Sequence, residues 1–232
     1  MKKENLIFGA IVVVLLVILI VVVVMLPGKS EKVYEEDLKD INYEMEGNEL
    51  SMNQYNTENP VVALYIKNYG SVVIELYPDV APNTVNNFIS LVKSGFYDNN
   101  TFHRLMTRFV LQGGDPTGTG SGGPGYSIRG EFSSNGFTNN LKHEKGVVSM
   151  ARADDPDSAG SQFFIMLESA DYLDGYYAAF GKVIDGMELV DRIASTERVK
   201  DSESGQLQRN LVLEKAVIDL KGKTYPEVEK ID

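Results

Sequence analysis

The chain has 232 residues, a formal net charge of -11 and no cysteine. Without cysteine there is no disulfide framework, thiolate zinc site, thiol nucleophile or lipid-modified cysteine. The two histidines, His103 and His143, leave little for metal ligation. The acidic balance argues against nucleic acid as a partner, because phosphates need clustered Lys and Arg.

Residues 6–26 form a run of 21 uncharged, apolar residues. At 1.5 Å per residue this is about 31 Å of helix, the thickness of a bilayer hydrocarbon core. A soluble core helix has a polar face, and this run has none. Lys2 and Lys3 precede it, which favours a cytoplasmic N-terminus, although Lys29 and Lys32 follow it. The alternative is a cleaved signal peptide, whose apolar region is shorter and ends in a small-x-small site. The expectation is a retained signal-anchor over residues 1–29, with the bilayer as partner through residues 6–26. The domain that follows the span is then extracytoplasmic, on a single-pass protein of the cell membrane.

Residues 30–59 carry nine acidic residues and two lysines, a local charge of -7. Such charge disfavours collapse and reads as an extended linker. Ile41, Tyr43, Met45, Leu50 and Met52 leave room for a short docked piece.

From Pro60 the texture changes. Residues 61–65 and 72–77 are β-branched and aromatic runs separated by Asn68-Tyr69-Gly70-Ser71, a hairpin signal. Pro82 opens a helix whose Val85, Phe88, Ile89 and Val92 share one face, and Gly95 ends it. Short strand-like runs follow at 109–111, 147–150, 163–167 and 180–183. Asp185-Gly186-Met187-Glu188 has the form of a capping box for a second helix carrying Leu189, Val190 and Ile193. Residues 211–220 read as a last strand and 223–232 as a tail. Many short strands with two helices indicate an antiparallel barrel or sandwich over residues 60–222, long enough for a full core.

The run Gly118-Thr119-Gly120-Ser121-Gly122-Gly123 matches a dinucleotide fingerprint by letter only. Pro124 and Gly125 follow where a helix must begin. A loop lying close to the barrel or to a peptide is the better reading, and no cofactor is expected. Ser149 and Ser161 lie in no nucleophile elbow. Asp154, Asp155 and Asp157 lack the spacing of a calcium loop, and no metal is expected. His143 reads as a surface or loop residue.

The segment 102–115, Phe-His-Arg-Leu-Met-Thr-Arg-Phe-Val-Leu-Gln-Gly-Gly-Asp, sets Arg104 among apolar residues on a strand-like run. A buried arginine needs a partner or a task, and a distant carboxylate is as good an account as a functional one. This segment resembles the signature of the cyclophilin-type peptidyl-prolyl isomerases. So do Gly146-Val-Val-Ser-Met-Ala-Arg-Ala153, Gly160-Ser-Gln-Phe-Phe-Ile165, Leu173-Asp-Gly175 and Phe180-Gly-Lys-Val183. The resemblance covers roughly residues 60–222 and looks bacterial. It implies a mainly β fold: an eight-stranded antiparallel barrel capped by two α-helices, preceded here by one transmembrane helix. It also implies an external peptide groove and a monomeric catalytic domain.

By the resemblance, Arg104 is the catalytic arginine, with Gln112 and Gln162 as polar groups of the groove. Phe109, Val110, Phe164, Leu173 and Tyr177 form the proline pocket or its rim, with Met106 close by. Ala151, Arg152 and Ala153 offer backbone contacts to the substrate. Four positions depart from the family pattern. Val110 replaces a common methionine and Arg152 a frequent asparagine. Tyr172 stands for the rim tryptophan and Tyr177 for the rim histidine. Weak cyclosporin binding is therefore expected.

The chemistry fits the composition. Rotation about an X–Pro bond faces a barrier of about 18–20 kcal/mol set by amide resonance, and no covalent bond breaks. No nucleophile, metal or redox group is needed. A guanidinium donating to the prolyl nitrogen weakens the resonance. The same logic gives His103 a structural role rather than an acid–base one. The leading expectation is an isomerase acting on proline-containing polypeptides. The alternative is a proline-peptide-binding chaperone or scaffold with little turnover.

Overall fold

The computed structural model describes residues 45–46, 49–50, 52 and 54–231. The expected membrane span and most of the acidic linker lie outside these residues. No helix among the described residues is long and apolar enough to cross a membrane.

Among the described residues, ten strands and two α-helices follow in order. The strands are β1 (Met45–Glu46), β2 (Glu49–Leu50), β3 (Val61–Ile66), β4 (Gly70–Leu76), β5 (Asn100–Met106), β6 (Val110–Asp115), β7 (Val147–Met150), β8 (Phe163–Met166), β9 (Ala179–Asp185) and β10 (Gln206–Asp219). Helix α1 (Pro82–Lys93) joins β4 to β5, and α2 (Met187–Thr196) joins β9 to β10. Strands β3 to β10 close into an antiparallel barrel in the order β10-β3-β4-β9-β7-β8-β6-β5, with β5 returning to β10. Closure works because β10 is 14 residues long: Leu213–Asp219 pair with β3, while Gln206 and Leu211–Leu213 pair with β5. Closure also removes the unpaired edges that an open sheet would expose.

The hairpin at 66–70 forms as expected. Asn68 takes the left-handed region at φ 66°, which asparagine tolerates better than most residues. The strand read at 109–111 is half of a β5–β6 hairpin, and β5 had not been separated from it. Helix α1 begins at Pro82, but its cap comes from elsewhere in the chain. The buried Glu131 carboxylate accepts from the N–H groups of Asn83 and Thr84 at 3.0 and 2.7 Å. A negative charge there also suits the positive end of the helix. Helix α2 corrects the expected capping box: its N-cap is Gly186 at φ 81°, and no side chain caps it.

The barrel interior is aromatic. Phe88 of α1 meets Phe163 edge-on at 5.3 Å and Phe180 at 5.1 Å, and Phe163 also meets Tyr97 and Phe102. The acidic stretch read as a spacer is packed on the barrel from Met52 onward. Met52 is fully buried, its N–H donates to the Asp219 carboxylate at 2.7 Å, and Lys221 donates to its carbonyl. The tail is likewise fastened, with Ser127 and Ile231 forming a β-bridge.

Candidate active site

A strand turns successive side chains to opposite faces. On β6 this sends Leu111 into the barrel and Val110 and Gln112 outward. On β8, Phe163 and Ile165 point in while Phe164 and Met166 point out. The outward set forms a second hydrophobic cluster, separate from the interior: Val110, Val147, Phe164, Met166, Ala170, Leu173 and Ala179. Met106, Phe109, Ala151 and Tyr177 pack against it, partly exposed. Phe109 stacks on Tyr172 at 6.0 Å, and Tyr172, two-thirds exposed, forms the rim. Phe164 meets Tyr177 edge-on at 5.9 Å. Eight of the expected site residues thus gather in one patch on the outer wall.

The polar residues form a ladder beside that patch. Register sets Arg104 opposite Gln112, and Gln112 opposite Phe164. Arg104 donates from Nη1 to Gln112 Oε1 at 3.0 Å and from Nε to the Ser204 carbonyl at 3.0 Å. Its Nη2 has no protein acceptor among the described residues. Gln112 Nε2 donates to Gln162 Oε1 at 3.0 Å, and Gln162 Nε2 donates to the carbonyls of Gly120 and Gly122. The guanidinium therefore has amide and carbonyl partners, not the distant carboxylate that sequence left open. Burial lowers its pKa from the ordinary value, opposed by Tyr177. An unneutralised, partly desolvated cation is a strong donor toward a bound group.

The glycine-rich loop at the end of the ladder is held by Asp115. This fully buried carboxylate accepts from Thr117 N–H and Oγ1 and from Thr119 and Gly120 N–H at 2.6–3.0 Å. Burial alone would raise its pKa. The hydrogen bonds, including one from Gly122, outweigh that and hold it well below the carboxylate range. Sequence reasoning passed over Asp115, although an aspartate followed by Thr and Gly is an Asx-turn signal.

A second polar network supports the apolar patch: His143 lies in a loop, as one of its two readings had it, but not at the surface. The His143 side chain is buried. Its Nδ1 lies 3.0 Å from Asp174 Oδ1 and its Nε2 3.0 Å from Ser149 Oγ. Burial lowers its pKa more than Asp174 raises it, so the ring is neutral near pH 7. The neutral ring then donates from Nδ1 to the carboxylate and accepts the Ser149 hydroxyl at Nε2. These are the residue types of a hydrolytic triad, but Ser149 is fully buried and no substrate carbonyl reaches it. The ring instead stacks on Phe164 at 6.2 Å and fixes the patch. His143 and Asp174 are 31 residues apart, and no sequence signal joins them.

Residues 151–153 flank the ladder. Ala151 N–H donates to the Gln162 carbonyl, Ala153 N–H donates to Ser158 Oγ, and the Ala153 carbonyl accepts from Arg152 Nη1 at 2.7 Å. Arg152 lies over the rings of Tyr177 at 4.8 Å and Phe132 at 5.2 Å and donates to the Tyr176 carbonyl. His103, beside Arg104, has both ring nitrogens buried without a hydrogen-bond partner, and burial lowers its pKa. No cluster of metal-ligating residues exists among the described residues.

These features define an antiparallel barrel that carries an external groove, apolar on one side and lined by arginine and amides on the other. The family "Cyclophilin type peptidyl-prolyl cis-trans isomerase/CLD" matches residues 61–218, and the chain belongs to it. It is 47% identical over 130 residues to peptidyl-prolyl cis-trans isomerase B of Bacillus subtilis, covering 56% of this chain and 87% of that protein. It is 41% identical over 154 residues to the peptidyl-prolyl cis-trans isomerase of Helicobacter pylori, covering 65% and 86%. Among solved structures it resembles a Cryptosporidium parvum cyclophilin type isomerase crystallised in the presence of the dipeptide Ala-Pro. That similarity has a TM-score of 0.60 and 36% identity, over 68% of this chain and 98% of that one. The chain is an isomerase of peptidyl-prolyl bonds.

Proposed function

We propose that the chain accelerates X–Pro rotation in exported or membrane-proximal proteins, tethered through residues 6–26, with Arg104 stabilising the twisted amide. The observation that carries this reading is the ladder. Arg104 is fixed at Nε and Nη1, keeps Nη2 uncommitted, and borders the apolar cluster of Val110, Phe164 and Leu173. As the amide twists, the prolyl nitrogen pyramidalises and becomes a hydrogen-bond acceptor. A donor held for that geometry stabilises the transition state more than the planar ground state. A charge-assisted hydrogen bond contributes about 1.5–3 kcal/mol. An acceleration of about ten-thousand-fold needs about 5.5 kcal/mol, so Arg104 does not act alone. The apolar patch holds the proline ring while Gln112 and the backbone of residues 151–153 grip the rotating side.

The test is prolyl cis/trans exchange on a short X–Pro peptide, with the full chain and its Arg104→Ala variant. The variant is expected to lose about ten- to a hundredfold in rate. A rate equal to wild type overturns the arginine mechanism. If neither protein accelerates exchange but both are folded and bind the peptide, the chain is a proline-peptide-binding module. The tether is tested separately. The chain should stay with the membrane fraction after a carbonate wash, and its barrel should be cleaved by protease added outside intact cells. A barrel protected until lysis overturns the orientation.

A further inference from the structure

Beside the ladder lies a cavity of about 770 Å³ that shares Gln112, Gln162 and residues 151–153 with the groove. Its far wall contains the glycine-rich loop and a residue from the opposite end of the chain, Ile231. Residues 229–231, in the segment read from sequence as a tail, reach this wall by a set of specific bonds. Asn83 on α1 pairs reciprocally with Glu229: its Nδ2 donates to the Glu229 carbonyl and its Oδ1 accepts the Glu229 N–H, both at 2.9 Å. Lys230 Nζ sits 4.3 Å above the Tyr126 ring. Ser127 and Ile231 then exchange backbone hydrogen bonds at 2.9 and 2.7 Å. The strap is anchored to a wall that is itself braced. Tyr126 Oη donates to Asn87 Oδ1, and Asn87 Nδ2 donates to the carbonyl of Gly160, another cavity residue.

This fastening holds an aliphatic side chain where it gains little from the fold. Ile231 stays 40% exposed, one of few large apolar side chains among the described residues that do. More than half of the residues around it are glycines and serines, so its large apolar side chains are Ile231, Pro124 and Tyr126, beside the methyl groups of Ala151 and Ala153. A substrate seated across Gln112 and residues 151–153 has its next residues over this cavity, because the same side chains line both.

We infer that the C-terminal strap completes a specificity subsite for the substrate residues flanking the X–Pro pair, with Ile231 as the contact that selects an aliphatic side chain. The inference rests on the isomerase groove proposed above. Two stiff pairings, to α1 and to the 126–127 segment, fix Ile231 before substrate arrives. Its contact therefore adds affinity without ordering a loose segment.

The experiment uses the full chain and its Ile231→Ala variant, which keeps the backbone bridge to Ser127. Peptides carry one X–Pro pair, with Leu, Ala or Glu two residues before it or two residues after it. Each is measured for exchange kinetics and, separately, for binding by NMR titration. The wild type should prefer Leu to Ala at one flank by about tenfold, the low end for one apolar contact. The variant should lose that preference through KM and Kd, with kcat ratios unchanged. A second variant, Asn83→Ala, loosens the strap without touching Ile231 and should reduce the same preference. Equal Leu-to-Ala ratios in wild type and Ile231→Ala, at both flanks, overturn the inference. The binding titration separates this from failure of the isomerase reading. A preference seen in binding without turnover breaks the catalytic proposal alone, while turnover with no Ile231-dependent preference breaks this one alone.

Discussion

Phe163 and Phe164 are neighbours on one strand and belong to different parts of the molecule. Phe163 is fully buried in the barrel, edge-on to Phe88, Tyr97 and Phe102. Phe164 faces outward, 5% exposed, against His143 and Tyr177. The inner cluster closes on itself, ring against ring. The outer cluster is incomplete: Met106, Phe109 and Tyr177 reach it only from its margin, and Tyr172 stands largely in solvent. Four neighbouring strands, β5, β6, β8 and β7, thus build the barrel interior and the outer apolar patch at once. The two are divided only by side-chain parity.

That division makes stability and activity separable. Phe163→Ala leaves a cavity among three aromatic rings and should lower unfolding free energy by about 3–5 kcal/mol, read by urea denaturation. Any variant that remains folded should keep a Kd for an X–Pro peptide near the wild-type value. Arg104→Ala should do the reverse, changing stability by no more than about 1 kcal/mol while slowing exchange. If Phe163→Ala weakens peptide binding as much as it destabilises the fold, the two clusters are one unit and the comparison fails.

Asp115→Asn sharpens the boundary, because Asp115 is buried yet serves the outer face. The amide replaces one acceptor oxygen with a donor, so either Thr117 N–H loses its partner at Oδ1 or Thr119 and Gly120 N–H both lose theirs at Oδ2. An orphaned buried donor costs about 1–3 kcal/mol. The readout specific to positioning is a double-mutant cycle with Gln162→Ala, which already uncouples the loop carbonyls of Gly120 and Gly122 from the ladder. The loss in kcat/KM from Asp115→Asn should be smaller in that background. Additive losses mean that Asp115 acts on the fold and not through Gln162.

What the sequence disclosed follows the same line. Strand alternation and turn residues are local, so the hairpin around Asn68, the helix from Pro82 and most strands were legible from spacing. The groove residues were legible only because their order resembles a family. Nothing local tells that Arg104 faces Gln112 across a hairpin. The supports were not legible at all. Glu131 caps α1 from 48 residues away, Asp174 reaches His143 from 31 residues away, and Glu229 meets Asn83 across 146. Such contacts are fixed by closure of the barrel, and a single sequence carries no periodic trace of them. The docked end of the acidic stretch was left open for a related reason. Charge density describes its average solvation, whereas Met52 docks through one carboxylate and one lysine of the barrel.

The smallest expected effect concerns the support beneath the outer cluster. Burial lowers the pKa of His143 from its ordinary 6.5, so the folded protein refuses a proton that the unfolded chain accepts. Stability is then level above pH 6.5 and falls as pH drops below it, by at most about 1.4 kcal/mol per pH unit for each such histidine. The fall stops once the pH passes the lowered folded pKa and both states are protonated. His103, also lowered by burial, contributes in the same direction. Asp174 is different: burial would raise its pKa, but hydrogen bonds from His143 and Lys142 hold it below the ordinary 3.8, so its share is lost only in stronger acid. The window from pH 6.5 to 5 therefore isolates the histidines. Urea midpoints should decline across it for the wild type and decline less for His143→Gln, whose amide does not titrate. Because the His143 ring stacks on Phe164, acid should also weaken peptide binding in that window, and His143→Gln should flatten that loss as well. If stability falls but peptide affinity does not, the histidine braces the barrel alone, and the outer cluster is held by its neighbours.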